Sequence, residues 1–377
     1  MIYYIHNIVD SYSPGVIKKI KSQIRAFQYY GYMIQECKVF KYENSCKRVR
    51  KLDVYSQFYD LKLDKGISPF STIYFRFPGS NYGFLKLLKF LKNKLHCTII
   101  IEIPTYPYRQ EIKCLPTRIQ TYLSLQDIIC WKFARYYVDK IVTYSEHKYI
   151  HGVETIGINN GIDIFTISPK EKIDFNKQLQ VIAVASIKFW HGYDRFIEGM
   201  KIYYEKDRSI KVIFNIVGDG PELESLKELV AKYNLQKFVV FHGPKFANDL
   251  DTIFNSSHVA LGTLGLHRIH LFQASPLKSR EYCARGIPFI QSGDSKDIPN
   301  DFKYVHYVPQ NDSPIIIEDL INFYSNIVGN FPNYNREIRD FAEKNLTWIK
   351  KMQPIVEYIE SVERSDTARI CEVKTHN

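Results

Sequence analysis

One segment of the chain gathers groups that can hold a phosphorylated ligand. It reads Gln273-Ala-Ser-Pro-Leu-Lys-Ser-Arg-Glu281-Tyr-Cys-Ala-Arg-Gly-Ile-Pro288. Ser275 is suited to cap a helix, with Pro276 and then Leu277 in its first turn. The unbonded amides of that turn, the helix dipole and the Lys278 ammonium would form a cradle for a diphosphate. Glu281 follows one to two turns later, where a carboxylate can grip ribose hydroxyls. Gly286 then ends the helix and Pro288 opens a strand. The same residues also describe a capped core helix with a solvated charge.

Two other turns carry related chemistry. Val217-Gly-Asp-Gly-Pro-Glu222 follows a strand-like run, and its glycines, Gly218 and Gly220, allow close backbone approach or a positive φ. It is not the GxGxxG dinucleotide fingerprint. In Ser186-Ile-Lys-Phe-Trp-His-Gly192, Lys188 offers a cation and His191 a ring donor, protonated or neutral. Trp190 reads equally as a core residue that His191 borders. No P-loop, GxSxG elbow or His/Cys ligand cluster occurs in the sequence, so no metal site and no cofactor are expected.

The elements that must position these groups fall into two βα series. Tyr3–Ile8, Thr72–Phe77, Thr98–Ile103 and Lys140–Thr143 read as strands. Helical patterns cover about 16–30, 83–96 and 117–138, and 41–66 reads as a polar, basic loop. A second series starts after the turn-rich Ile158-Asn-Asn-Gly-Ile-Asp163 and Pro169. Its strands are Val181–Ala185, Lys211–Val217, Phe238–Phe241, His258–Leu261 and Pro288–Gln291, with helices between them and a helical stretch over 335–360. Strands alternating with helices predict parallel sheets, so the fold class expected is α/β with two doubly wound, Rossmann-like domains. The division expected is 1–165, 166–345, a C-terminal helix over 346–364 packing back toward the first domain, and a frayed tail over 365–377. Ligands of such sheets bind at the carboxyl ends of the strands.

Bulk properties narrow the partners. The 377 residues suit two domains, and the net charge of +11 favours anionic partners without choosing among them. Nucleic acid is set aside, because no recognised motif accompanies the charge. Seven scattered cysteines without a CxxC pair argue against a disulfide framework and for a reducing compartment. The amino terminus lacks the pattern of a secretory signal, and no apolar run is long enough to span a bilayer, so a cytoplasmic location is expected. Helix 83–96 has a leucine face and the lysines Lys86, Lys89, Lys92 and Lys94. It reads either as an interfacial helix on an anionic membrane surface or as a helix packed on a sheet with its lysines in water.

The segment from Gln273 to Pro288 resembles the donor-binding signature of retaining GT-B glycosyltransferases, the group 1 or family 4-like type. There, two glutamates stand seven residues apart and the helix ends in a Gly-x-Pro turn. Glu281 falls on the second, which the family uses to hold the nucleotide ribose. Gln273 stands at the first, which contacts the donor sugar, and its amide can hydrogen-bond hydroxyls without supplying charge. The Ser-Pro-Leu-Lys-x-x-Glu-Tyr form is similar to a branch from bacterial surface-polysaccharide clusters. Val217–Glu222 resembles the second βα turn of the donor domain. Phe241-His-Gly-Pro244 resembles the base-binding strand end, which points to Gly243 and Pro244, and Asn159–Asp163 resembles the turn joining the domains. Ser186–Gly192 resembles the loop whose Arg and Lys neutralise the leaving phosphate. Those two positions are Ser186 and His191 here, so Lys188 is expected to supply the charge, with His191 and Gly192 beside it. Ser13-Pro-Gly15 with Lys18 resembles the glycine loop facing the diphosphate. Glu102-Ile-Pro-Thr-Tyr106-Pro-Tyr108 stands where many relatives have a catalytic-site histidine, and Tyr106 and Tyr108 become acceptor-side candidates. His267 and Arg268 precede the donor helix as further candidates for sugar or phosphate. Asp249-Leu-Asp251 sits at a helix start in the second domain, unlike the metal-binding DxD of the other large glycosyltransferase fold.

The resemblance implies a metal-independent, retaining transfer from a nucleotide-diphosphate sugar to a glycan or lipid-linked acceptor in bacterial surface polysaccharide synthesis. Lys188, His191, Lys278 and Gln273 become the catalytic candidates. Gly15, Gly192, Gly218, Gly220, Glu222, Gly243, Pro244, Ser275, Pro276, Leu277 and Glu281 become donor-binding candidates. Two alternatives stay open: a GT-B nucleotide-sugar epimerase, and a catalytically silent GT-B binding or scaffold protein.

Overall fold

The computed structural model describes residues 1–7, 14–42, 60–63, 65–108, 116–271, 273–274 and 277–375, and the chain divides into two compact units. Unit 1 comprises Met1–Asn159 and Lys351–Asn377, and unit 2 comprises Asn160–Lys350. The division falls before the expected boundary between 165 and 166, because residues 160–167 are tied into unit 2. Ile162 N–H donates to Leu346 O at 2.8 Å, Trp348 N–H donates to Ile162 O at 3.1 Å, and the Arg280 guanidinium donates to Asn160 O at 2.6 Å.

Unit 1 runs β1 (Ile2–His6), α1 (Pro14–Tyr29), β2 (Ile34–Tyr42), β3 (Asp60–Leu63), β4 (Thr72–Arg76), α2 (Tyr82–Asn93), β5 (Thr98–Ile103), α3 (Thr117–Ala134), β6 (Lys140–Thr143), β7 (Tyr149–Ile150) and β8 (Val153–Gly157). Its sheet has the order β3-β2-β1-β4-β5-β6-β8-β7 and is parallel except at its edges, where β3 and β7 run antiparallel to their neighbours. The inner strands are buried along their length, as strands covered on both faces must be. Phe84, Leu87, Leu88 and Leu91 of α2 pack onto the core of this unit. Asn81 caps α2 through Oδ1, which accepts from Phe84 N–H at 2.8 Å. The leucine face of α2 is therefore inside the unit, and of the two sequence readings of this helix the structure takes the packed one.

Unit 2 runs β9 (Gln178–Ser186), α4 (Tyr193–Tyr203), β10 (Lys211–Asp219), α5 (Leu223–Lys232), β11 (Val239–Gly243), α6 (Ala247–Asn255), β12 (Val259–Leu261), β13 (Gln273–Ala274), α7 (Leu277–Arg285), β14 (Phe289–Ser292), β15 (Asp294–Ser295), β16 (Val305–Val308), α8 (Ile317–Asn330) and α9 (Tyr334–Asn345). Its main sheet has the order β11-β10-β9-β12-β14-β16 with every pair parallel. The turns after β9, β10 and β11 therefore lie along one edge, at the carboxyl ends of the strands. A last helix, α10 (Trp348–Thr375), starts in unit 2 and continues in unit 1. The helical stretch expected over 335–360 is thus two helices, α9 and α10, and the tail expected to fray from 365 is helical to Thr375.

Candidate donor site

The site in unit 2 is built around two turns at the ends of β9 and β10. β9 ends at Ser186, and a short 3-10 turn, Phe189–His191, leads through Gly192 into α4. His191 Nδ1 accepts the Lys188 N–H at 3.0 Å, which leaves the proton on Nε2. Its ring stacks on Tyr193 at 5.5 Å between centroids. Burial, and then the charges of Lys278 and Lys188, push the His191 pKa down to about 3. Of the two forms the sequence allowed, only the neutral imidazole is populated near pH 7, and it can donate through Nε2–H.

Lys278 sits on the first turn of α7 and reaches back to α4. Its ammonium donates to Tyr193 Oη at 3.0 Å and lies 5.3 Å from the centre of that ring. The residue keeps some surface exposure while its ammonium is enclosed, and that enclosure lowers its pKa to about 7. Lys188 Nζ lies 4.8 Å from the Trp190 ring centre. Lys188, His191 and Lys278 thus converge at the end of β9 over a floor made by Tyr193, a residue that sequence reading did not single out.

The neighbouring turn is welded to this one. Ile187 N–H donates to Asp219 O at 2.7 Å, and Glu222 N–H donates to Ile187 O at 3.4 Å. Gly218 has φ +126°, and a Cβ there would lie 1.9 Å from Ala185 O. Gly220 has φ +159°, and a Cβ there would lie 2.1 Å from Ile187 O. Only glycine lets the β9 and β10 ends approach this closely. Lys188 and Glu222 also line a recess of about 300 Å³ with Ile187, Tyr193, Leu226 and Arg268. Gly243 ends β11 opposite Val217, and Pro244 is exposed beyond it.

Along α7 the side chains divide by role. Leu277 is exposed, whereas Ser279 and Arg280 are buried, Arg280 in an ion pair with Asp297. Glu281 is part-exposed and accepts from Arg285 at 3.0 Å, and Arg285 also pairs with Asp251 at 2.6 Å. Asp251 therefore serves α7 as an ion-pair partner, while Asp249 is the acidic residue in the first turn of α6. Gln273 pairs in register with Asp294 through the short β13–β15 ladder. Ser275 and Pro276 lie outside the described residues. Arg268 is engaged elsewhere than expected: it forms a bidentate pair with Asp194 at 2.9 and 2.6 Å and binds Asp312 at 2.7 Å. His267 also binds Asp312, at 3.0 Å.

In unit 1, Gly15 lies in the first turn of α1, and Ser13 lies outside the described residues. Tyr106 meets His147 edge-on at 4.8 Å. Tyr108 donates to Asp127 at 2.6 Å and accepts from His151 at 2.8 Å. A charged centre that sequence reading missed stands at the end of β5. Glu102 is fully buried and accepts from Lys19 at 3.2 Å, Arg76 at 3.1 Å and Tyr144 at 2.9 Å. Burial alone would raise its pKa, but Lys19 and Arg76 overcome this and hold the carboxyl below its ordinary value. Among the described residues, no group of three or more His, Cys, Asp or Glu could hold a metal ion. Nor is any helix among them long and apolar enough to cross a membrane.

Comparison with known proteins agrees with this geometry. Residues 165–299 match the family described as Glycosyl transferases group 1, a span that contains β9 through α7. No curated protein sequence matches the chain. A glycosyltransferase from Rickettsia africae ESF-5 superposes with a TM-score of 0.60 at 10% identity, covering 96% of this chain and 98% of that one. The Anabaena protein Alr3699/HepE in complex with UDP superposes with a TM-score of 0.54 at 11% identity, covering 96% and 99%. The lipopolysaccharide outer core galactosyltransferase WaaB, in its apo form, does so with a TM-score of 0.52 at 13% identity, covering 95% and 99%. Residues 165–299 thus carry the match to Glycosyl transferases group 1, and the two parallel-sheet units have the GT-B fold of the proteins they superpose on.

Proposed function

We propose that the chain is a retaining, metal-independent transferase that moves a sugar from a nucleoside-diphosphate donor to a lipid-linked glycan acceptor. The setting proposed is bacterial surface polysaccharide synthesis at the cytoplasmic face of a membrane. The observation that carries this reading is the convergence of Lys188, His191 and Lys278 on Tyr193 at the end of β9, within a group 1 domain. Nucleotide complexes of the similarly folded Anabaena protein support a nucleotide donor.

In this reading the donor diphosphate lies against Lys188, His191 Nε2–H, Lys278 and the first amides of α7. Glu281 holds ribose hydroxyls and Gln273 the sugar. The acceptor hydroxyl attacks the anomeric carbon from the leaving-group side as the carbon–oxygen bond to the diphosphate breaks. The departing phosphate oxygen takes the acceptor's proton, so the enzyme's work is positioning and stabilising leaving-group charge. Tyr106 and Tyr108 stand on the acceptor side.

A panel of nucleotides and nucleotide sugars tests this by thermal stabilisation, with and without EDTA, beside Glu281→Ala. A shift of several degrees with one nucleoside diphosphate, kept in EDTA and lost in the variant, is expected. No shift with any member at millimolar concentration would favour a silent scaffold. Donor consumption without an acceptor, giving an epimeric nucleotide sugar, would favour an epimerase.

A further inference from the structure

We infer that the outward face of α3, with the adjoining edge of α2, is a docking surface for an anionic lipid bilayer. α3 buries only Asp127, Cys130, Trp131 and Ala134, which share one side of the helix. On a different side, Tyr122, Leu125, Ile129 and Phe133 recur at intervals of three, four and four residues and form an apolar stripe. Leu125 is 54% exposed, Ile129 59% and Phe133 50%, so the core of unit 1 does not use this stripe. Where α3 meets α2, Tyr122, Leu125 and Ile129 line a groove of about 430 Å³ with Tyr82 and Leu85. Phe90 of α2 is exposed as well. Exposed apolar area this continuous marks an interaction site.

Charge identifies the occupant. The only carboxylate on either helix is Asp127, which is buried. The exposed charges are the cations Lys86, Lys89, Arg118 and Lys132; on the helical wheel Arg118 continues the stripe one turn before Tyr122 and Lys132 borders it. A second copy of this chain related by a twofold axis would set cation against cation. An anionic headgroup layer satisfies both features, receiving the aromatic and aliphatic side chains at its acyl boundary and the cations at its surface. The surface that the sequence analysis sought on the leucine face of α2 is supplied by α3. The same helix holds the Tyr108 loop from its buried side, where Asp127 accepts the hydrogen bond of Tyr108. In purpose this surface rests on the proposed lipid-linked acceptor.

Flotation of the full chain with vesicles tests it. One set is phosphatidylcholine alone, and the other is equal parts phosphatidylcholine and phosphatidylglycerol. The wild type is expected to float with the anionic set, less so at high salt, and to stay behind with the neutral one. Leu125→Glu/Ile129→Glu should lose flotation by about tenfold or more. Its melting temperature and its nucleotide-induced stabilisation should match wild type, since both side chains are exposed. Lys89→Glu/Lys132→Glu should weaken flotation while leaving the stripe intact. Equal flotation of the apolar double variant and wild type would overturn the inference. So would wild type that binds neither vesicle, or a dimer that the same double variant dissociates. Nucleotide stabilisation is read separately, so lost flotation with intact nucleotide binding rejects this surface alone.

Discussion

Lys278 and Tyr193 are 85 residues apart in the chain, yet the ammonium of the first donates to the phenol oxygen of the second at 3.0 Å. The contact fastens the start of α7 to the start of α4. It also holds a cation in an enclosed place where its pKa falls from 10.5 to about 7. Without an anion beside it, Lys278 is therefore divided between charged and neutral forms near neutral pH. A bound diphosphate would restore the charge.

Proton uptake on binding follows. At pH 8 most Lys278 is neutral in the free protein, so binding a nucleoside diphosphate should draw in close to one proton. Calorimetric titration in buffers of different ionisation enthalpy measures this number directly. Lys278→Met should abolish the uptake, whereas His191, with a pKa of about 3, contributes nothing to it.

The same lysine sets a pH dependence of stability. Its folded-state pKa lies below its unfolded value, so the unfolded chain binds the extra proton between about pH 7 and pH 10.5. The contribution of Lys278 is unfavourable in full below the lower value and fades as pH rises toward the upper one. Lys278→Met should therefore stabilise the unliganded protein most below pH 7, with the gain vanishing near pH 10.5. Denaturant unfolding across that range checks the sign.

Gly218→Ala should be more damaging than an ordinary surface change. The added methyl would stand 1.9 Å from the Ala185 carbonyl oxygen, in a backbone conformation that L side chains rarely adopt. Loss of roughly 2–4 kcal/mol and displacement of the β9 end are expected, within the range for severe backbone effects. Thermal unfolding with and without nucleotide would show both. An alanine at Gly243, where the open side leaves only the φ cost, should be milder.

Much of this arrangement was legible in the sequence. The inner strands of unit 2 read as apolar runs because both faces are covered, as in Val181–Ala185 and Val212–Val217. β2 escaped notice because Ile34–Tyr42 intersperses Glu36, Lys38 and Lys41 with its apolar residues, and among the described side chains of the strand only Cys37 and Val39 are buried. The turns holding Lys188, His191 and Gly218 were legible from local chemistry. Tyr193 was not, since its part depends on a lysine brought in from α7. The Glu102 centre was likewise hidden, because Lys19, Arg76 and Tyr144 come from three separate segments. Arg268 looked available in sequence but is held by Asp194 and Asp312, which lie 74 and 44 residues away.

Glu102 should be the acid-sensitive point of unit 1. Its folded pKa is below the unfolded value, so its stabilisation is present above the unfolded pKa of about 4.5 and is lost as pH falls through the folded value. Glu102→Gln should flatten the acid limb of the unfolding curve. At neutral pH it should cost about 3–5 kcal/mol, because Lys19 and Arg76 would keep their charges without their shared partner.

The most direct measurement is calorimetric titration of wild type and Lys278→Met with the nucleoside diphosphate that the thermal panel selects, alongside its monophosphate. Wild type should prefer the diphosphate by roughly tenfold or more, and the variant should lose most of that preference while binding the monophosphate nearly as before. An unchanged preference in the variant would contradict the assignment of the diphosphate to the cluster of Lys188, His191 and Lys278.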